Sequence, residues 1–278
     1  MVIERTKIWV LVVILTLCSQ AVLSACCESD EPVRQPGKVS EIIERGKVLV
    51  GTTGDYRPLS FREPETGEYW GFGIEIAQEI AKQLGVKVEF VQTSWPTLTA
   101  DVLAEPQKFD FAIGGITITD ARCETMMMSD GYLANGKTIL CRASDSERYQ
   151  SLVDIDKPEV RVMVNPGGLN EKFAHEKLTH ATIVVHQKNE EIPTLVAEGV
   201  ADVMITEITE APYYVRTDTR LAAPLLYAPF THGEIGVLMR KGQEDLLDFI
   251  NGIIRWMKSD GSLRRLHEKY GLVYAPQR

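Results

Sequence analysis

The chain has 278 residues, 44% of them hydrophobic and 25% charged, a mix that suits a folded protein with a sizeable core and excludes a disordered or fibrous one. Lys and Arg number 30 against 39 Asp and Glu, a formal charge of −9, and this acidic balance argues against nucleic acid as a partner. It leaves an anionic small molecule open, because the local charge of a cleft outweighs the net value.

At the N-terminus, Arg5 and Lys7 flank the start of an apolar stretch, Ile8 to Leu17. That stretch is too short to span a membrane comfortably and has the layout of a secretory signal. Leu23-Ser24-Ala25-Cys26 resembles a bacterial lipobox, which makes residues 1–25 a signal peptide and Cys26 the lipidated residue. Ordinary cleavage after Ala25 without a lipid is the alternative, and the bulk of Leu23 favours the lipoprotein. Residues 26–38 are polar and contain proline, as suits a tether. A membrane is therefore expected as a partner only through this lipid. About 250 residues remain, room for two modest lobes or one large domain.

Along the exported part, Lys47 to Gly51 reads as a strand, and Ile74, Ala77, Ile80, Ala81 and Leu84 fall at helical spacing before Gly85. Val86 to Val91 alternates as a strand, Trp95 to Leu103 reads as helix, and Phe109 to Ile113 is a strand ending at Gly114-Gly115. A helix begins near Thr119 and Asp120, either of which can cap it. Val160 to Val164 is a strand, Gly167-Gly168 opens a helix from Leu169 to Leu178, and Thr182 to Val185 is a strand. Glu190 to Glu198 is a helix closed by Gly199, and Val203 to Ile205 is a short buried strand. A long helix carries Leu246, Ile250, Ile253, Ile254 and Met257 on one face, and a last helix carries Leu263, Leu266 and Tyr270. The alternation makes this an α/β chain.

Cys123 and Cys141 lie inside the folded part, where an exported compartment permits a disulfide if geometry allows. The five histidines show no tight ligand spacing, so no metal site is expected. After Ile205, Thr206 can cap a helix, and Glu207 and Glu210, three residues apart, would then share one helix face. A carboxylate pair at the carboxyl end of a strand is well placed for a ligand in an open α/β sheet. The competing reading is a solvated first turn, where acids favour the helix dipole.

Gly71 to Ala77 (GFGIEIA), Phe109 to Ile113 (FDFAI), Gly115 to Arg122 (GITITDAR) and Asp260 to Gly271 resemble the extracellular amino-acid solute-binding proteins of the two-lobed periplasmic type. The resemblance implies a type II periplasmic-binding-protein fold: two α/β lobes joined by two strands, with the ligand held between them. It implies that lobe 1 comprises residues 39–133 and 233–278 and lobe 2 residues 134–232. Thr52 to Pro58, Thr93 to Pro96, Gly136 to Thr138, Val164 to Ala174 (VNPGGLNEKFA) and Thr206 to Ala211 (TEITEA) are similar to the exported cyclohexadienyl dehydratases built on that fold. Those enzymes convert prephenate to phenylpyruvate and arogenate to phenylalanine, releasing carbon dioxide and water. Aromatisation drives the reaction, so no metal or organic cofactor is required.

The residue roles that follow are those the resemblance implies. Glu210 is the general acid, and burial or a like charge must raise its pKa for it to hold a proton. Lys137 and Trp95 complete the catalytic set. Arg122 clamps the substrate carboxylate through a bidentate fork; its alternative is a surface pairing with Asp120 or Glu124. Asn170, near the start of the helix after Gly168, adds an amide to an anion held by free backbone N–H groups. Asp55, Tyr56, Thr117, Gly115 and Glu207 complete the substrate-binding set. Leu169 stands where such proteins usually carry threonine, and Gly73 where they often carry aspartate. Glu207 stands where they carry aspartate, the partner of the ligand's amino group, and reaches about 1.5 Å further. A receptor that delivers an amino acid to a membrane transporter is the rival function, and Glu210 is the residue that separates the two.

Overall fold

The computed structural model describes residues 37–272, so the expected signal peptide, Cys26 and nearly all of the tether lie outside the described residues. Two five-stranded sheets organise the rest. In the first, the strand order is Lys87–Gln92, Lys47–Thr52, Phe111–Ala112, Leu238–Met239, Met127–Met128. The first three are parallel, and Leu238–Met239 runs antiparallel to both neighbours. In the second, the order is Thr182–Val185, Arg161–Val164, Val203–Glu207, Lys137–Arg142, Leu221–Ala222. Here too three strands are parallel, and Lys137–Arg142 is antiparallel to the strands beside it.

Helices cover these sheets, which is why the central strands are apolar without alternation. Phe72, Ile76 and Ile80 of the Phe72–Leu84 helix pack with Val48 and Val50 and with Leu246, Ile250 and Ile254 of the Glu244–Ser259 helix. In the second sheet, Val203 and Ile205 join Val162, Val164 and Phe173 on one face, while Met204 joins Met163, Ile192, Val196 and Tyr214 on the other. A two-stranded ribbon, Leu133–Asn135 against Gly233–Ile235, carries the chain from one sheet to the other and back. This is the two-lobed α/β architecture expected from the sequence.

Several elements differ in detail from expectation. The helix expected from Trp95 spans only Leu98–Val102, because Ser94 to Thr97 form a turn closed by the Thr97 N–H on the Ser94 carbonyl (3.1 Å). The helix expected from Glu190 begins as a short 3-10 turn, Asn189–Glu191, and becomes α-helical at Ile192–Ala197, where Pro193 fits the first turn. Thr119, not Asp120, caps the Asp120–Thr125 helix through the Arg122 N–H. Cys123 is exposed and Cys141 buried, and both are free thiols, so the permitted disulfide does not form.

The lobes touch backbone to side chain at Gly167, which has φ +71°. A Cβ there would fall 2.6 Å from Pro96 Cα. Gly167→Ala is therefore expected to destabilise the protein by about 1–2 kcal/mol through its left-handed backbone alone. The added contact with Pro96 should weaken ligand affinity as well, since it obstructs only the closed form. Urea unfolding and titration calorimetry check the two effects separately.

Candidate functional site

The register of two strands sets the centre of the site. Val203–Glu207 pairs with Lys137–Arg142 so that Glu207 stands opposite Lys137 at the sheet's end. Lys137 Nζ donates to Glu207 Oε1 at 2.6 Å and to Asn170 Oδ1 at 2.6 Å. Two groups from the first lobe complete the carboxylate's surroundings: Tyr56 OH donates to Glu207 Oε2, and Thr117 Oγ1 donates to Glu207 Oε1 at 3.3 Å. Asn135 Nδ2 in turn donates to Thr117 Oγ1 at 3.1 Å. Burial alone would raise the Glu207 pKa, but the Lys137 ammonium and these hydrogen bonds outweigh it and hold the carboxyl below its usual range.

A small cavity opens beside this cluster. Tyr56, Trp95, Gly115, Thr117 and Arg122 form its first-lobe wall. Lys137, Asn165, Gly168, Leu169, Asn170 and Glu207 form the other. Gly115 has φ +100°, and a Cβ there would meet the Tyr56 ring at 2.5 Å, so glycine lets the ring lie against the backbone. Tyr56 and Trp95 meet edge to face with centroids 5.6 Å apart, an apolar wall for a ring. Trp95 Nε1 donates to Asp55 Oδ1 at 3.1 Å. Arg122 is half-buried and donates Nη1 to the Thr117 carbonyl at 2.5 Å. Among the described residues it forms no ion pair, so the surface pairing with Asp120 or Glu124 is absent. The first residues of the Leu169–Lys177 helix, Leu169 and Asn170, border the cavity, and the first N–H groups of a helix have no partner within it.

Glu210 is 0% exposed. Its Oε2 accepts from Thr206 Oγ1 at 2.5 Å and its Oε1 from Asn189 Nδ2 at 2.9 Å. Burial pushes its pKa up to about 8; those two donors lower it, and the charges of Glu207 and Asp55 raise it. Asn189 also donates to the Asp55 carbonyl at 3.1 Å, so Glu210 belongs to a buried network that crosses between lobes. Glu210 does not line the cavity itself; it sits close enough to the lining Tyr56 to shift that phenol's pKa upward, after burial and Glu207.

The local geometry corrects the expected carboxylate pair. Glu207 is the last residue of a strand, not the first of a helix, because the backbone ladder to Lys137 continues through it. Ile208 to Glu210 form a turn, and the helix runs Ala211–Thr217 with Pro212 in its first turn. Thr206 is no cap; its hydroxyl holds Glu210. The solvated-turn reading fails too, since both carboxylates are buried. Of the ten site residues singled out from sequence, eight come together at the cavity, and Asp55 and Glu210 stand directly behind it. Asn165, Asn189 and the second role of Thr206 were missed. Asn165 lay within the VNPGGLNEKFA segment, but Asn189 sits in a polar run with no local signal.

The model of the bacterial extracellular solute-binding proteins, family 3, matches residues 48–273. The chain belongs to that family. Membership sets it outside the cytoplasm. Among similar members is the cyclohexadienyl dehydratase of Pseudomonas aeruginosa, 37% identical over 236 residues, 85% of this chain and 87% of that protein. An ancestral amino acid-binding protein, a precursor of cyclohexadienyl dehydratase, superposes with a TM-score of 0.77 at 36% identity, over 84% of this chain and 99% of its own. An ancestral cyclohexadienyl dehydratase carrying a Pro-to-Leu substitution is 49% identical over 85% of this chain and 97% of its own, with a TM-score of 0.53. The family thus spans binders and enzymes on one fold.

Two stability measurements test the electrostatics. Lys137→Met leaves Glu207 buried without its counter-charge and should cost about 3–5 kcal/mol in urea unfolding, while Lys137→Met with Glu207→Leu should recover most of it. For Glu210, the raised folded pKa means that the native state keeps a proton the unfolded chain loses. Its contribution is full below about 4.5 and is lost as pH rises to about 8, by up to about 1.4 kcal/mol per unit. Glu210→Gln should flatten that part of the stability–pH curve.

Proposed function

We propose that this protein is an exported cyclohexadienyl dehydratase that turns prephenate into phenylpyruvate and arogenate into phenylalanine. The observation that carries the reading is Glu210: a fully buried carboxyl, raised to a pKa of about 8, without a cationic partner among the described residues and directly behind the cleft. A receptor gains nothing from such a group, whose burial costs free energy. Similarity to cyclohexadienyl dehydratase over most of the chain supports the same conclusion.

In this reading Arg122 grips the side-chain carboxylate with its remaining N–H groups, and Asn170 and the N-terminus of its helix share that charge. Tyr56 and Trp95 flank the ring. The bond from the ring to its carboxylate breaks, carbon dioxide leaves, and the electron pair enters the ring. The carbon–oxygen bond opposite breaks with its pair on oxygen, and Glu210 supplies the proton that makes the leaving group water. Thr206 and Asn189 then hold the ionised Glu210 through the hydrogen bonds they already make. Lys137 has a third N–H to offer a substrate oxygen. Contact with Glu210 requires the substrate to press past Tyr56, and catalytic hydrogen bonds commonly tighten only in such a complex. Lobe 1 comprises residues 39–133 and 233–278 and lobe 2 residues 134–232, a division supported by strand membership of the two sheets. Residues 1–25 are the signal peptide, and Cys26 carries a lipid that tethers the enzyme to the outer face of the membrane.

A non-catalytic amino-acid receptor is the second reading, favoured by the superposition on an amino acid-binding ancestor. Purified protein mixed with prephenate should generate phenylpyruvate absorbance; tight binding of an intact amino acid with no turnover would establish the receptor instead. Glu210→Gln should lower kcat by about a hundredfold to ten-thousandfold with KM changed far less. Turnover of the unmodified enzyme should fall as pH rises through about 8, where Glu210 gives up its proton.

A further inference from the structure

In amino-acid-binding members of a two-lobed family, an ammonium group must find acceptors in the cleft. An ammonium presents three N–H donors and no acceptor. Most of the side-chain acceptors here already carry a donor. Glu207, the one carboxylate lining the cavity among the described residues, has about four lone-pair sites. Lys137 and Thr117 donate to Oε1 and Tyr56 donates to Oε2, so three of the four are taken. Asn170 Oδ1 is taken by Lys137, and the Thr117 carbonyl by Arg122. Asp55 lies outside the cavity wall.

The donors are in the opposite condition. Arg122 has spent one N–H of five on protein. Asn170, with its oxygen committed to Lys137, turns only its NH₂ to other partners. Lys137 keeps one N–H, and the start of the Leu169–Lys177 helix adds backbone donors. Leu169 brings no acceptor. Asn165 offers a single amide oxygen, too few for three ammonium protons.

We infer that Glu207, which already takes donors from Lys137, Tyr56 and Thr117, makes this site selective for the 2-oxo acid form of its ligand over the 2-amino acid form. A keto oxygen and a carboxylate fit a donor-rich wall, whereas an ammonium must compete with Lys137 and Tyr56 for a buried carboxylate. The inference rests on the dehydratase reading for its substrate pair, prephenate as 2-oxo acid and arogenate as 2-amino acid, and it can fail independently of that reading.

The test compares kcat/KM for prephenate and arogenate on the full exported protein, and calorimetric binding of the two products, phenylpyruvate and L-phenylalanine. Prephenate is expected to exceed arogenate by about tenfold or more, and phenylpyruvate to bind more tightly than phenylalanine. Glu207→Asp, whose shorter carboxylate cannot keep all three partners, should narrow both ratios. Turnover of arogenate equal to or better than prephenate would overturn the inference and leave the dehydratase intact. Turnover of neither would remove the enzymatic reading; binding would then decide alone, with tighter binding of phenylpyruvate upholding the selectivity, and tighter phenylalanine, or no binding of either, overturning it.

Discussion

The Glu207 carboxylate is the point on which the cleft depends. It takes a proton donor from its own sheet, Lys137, and two from the opposite lobe, Tyr56 and Thr117. A buried carboxylate is expensive unless charged and hydrogen-bonded partners surround it. Meeting that requirement draws the lobes together, fixes the Lys137 ammonium between two oxygens, and aligns the Tyr56 phenol against Gly115. The closed shape of the cavity is therefore an electrostatic consequence as much as a packing one.

Three residues further on, Glu210 shows what the same side chain does without a cation. Both carboxyls are fully or almost fully buried. Glu207 has Lys137 within 2.6 Å and is held ionised. Glu210 has only a hydroxyl and an amide, and burial keeps its proton on. A pair of acids pushed apart in pKa by their surroundings is the arrangement from which acid–base roles are assigned. The chain achieves it within one turn, because the strand ends at Glu207 and the helix begins only after Glu210. On a common helix face the two would have shared one environment and one another's repulsion.

The fold and the polar residues of the site differ in how they are encoded. Core strands and helices are written locally: Val203 to Ile205 is apolar on both faces because helices cover both faces, and Leu246, Ile250, Ile254 and Met257 repeat at the helical period. Period and apolar content carry that information without knowledge of the rest of the chain. Asn189, by contrast, lies in a polar run like many surface turns, and its buried amide bonds Asp55 and Glu210 from sequence distances of 134 and 21 residues. No local pattern announces such a contact.

The sequence by itself determined the α/β alternation, the ends of most elements, the family, and the residue types available to a cleft, since these follow from propensity, periodicity and motif. It misjudged the stretch from Thr206 to Glu210, where a local helix signal competed with five residues of strand pairing and lost. Only the tertiary structure decided which carboxyl is ionised, because a pKa depends on the charges and solvent around a group, and those arrive from the opposite strand and the opposite lobe.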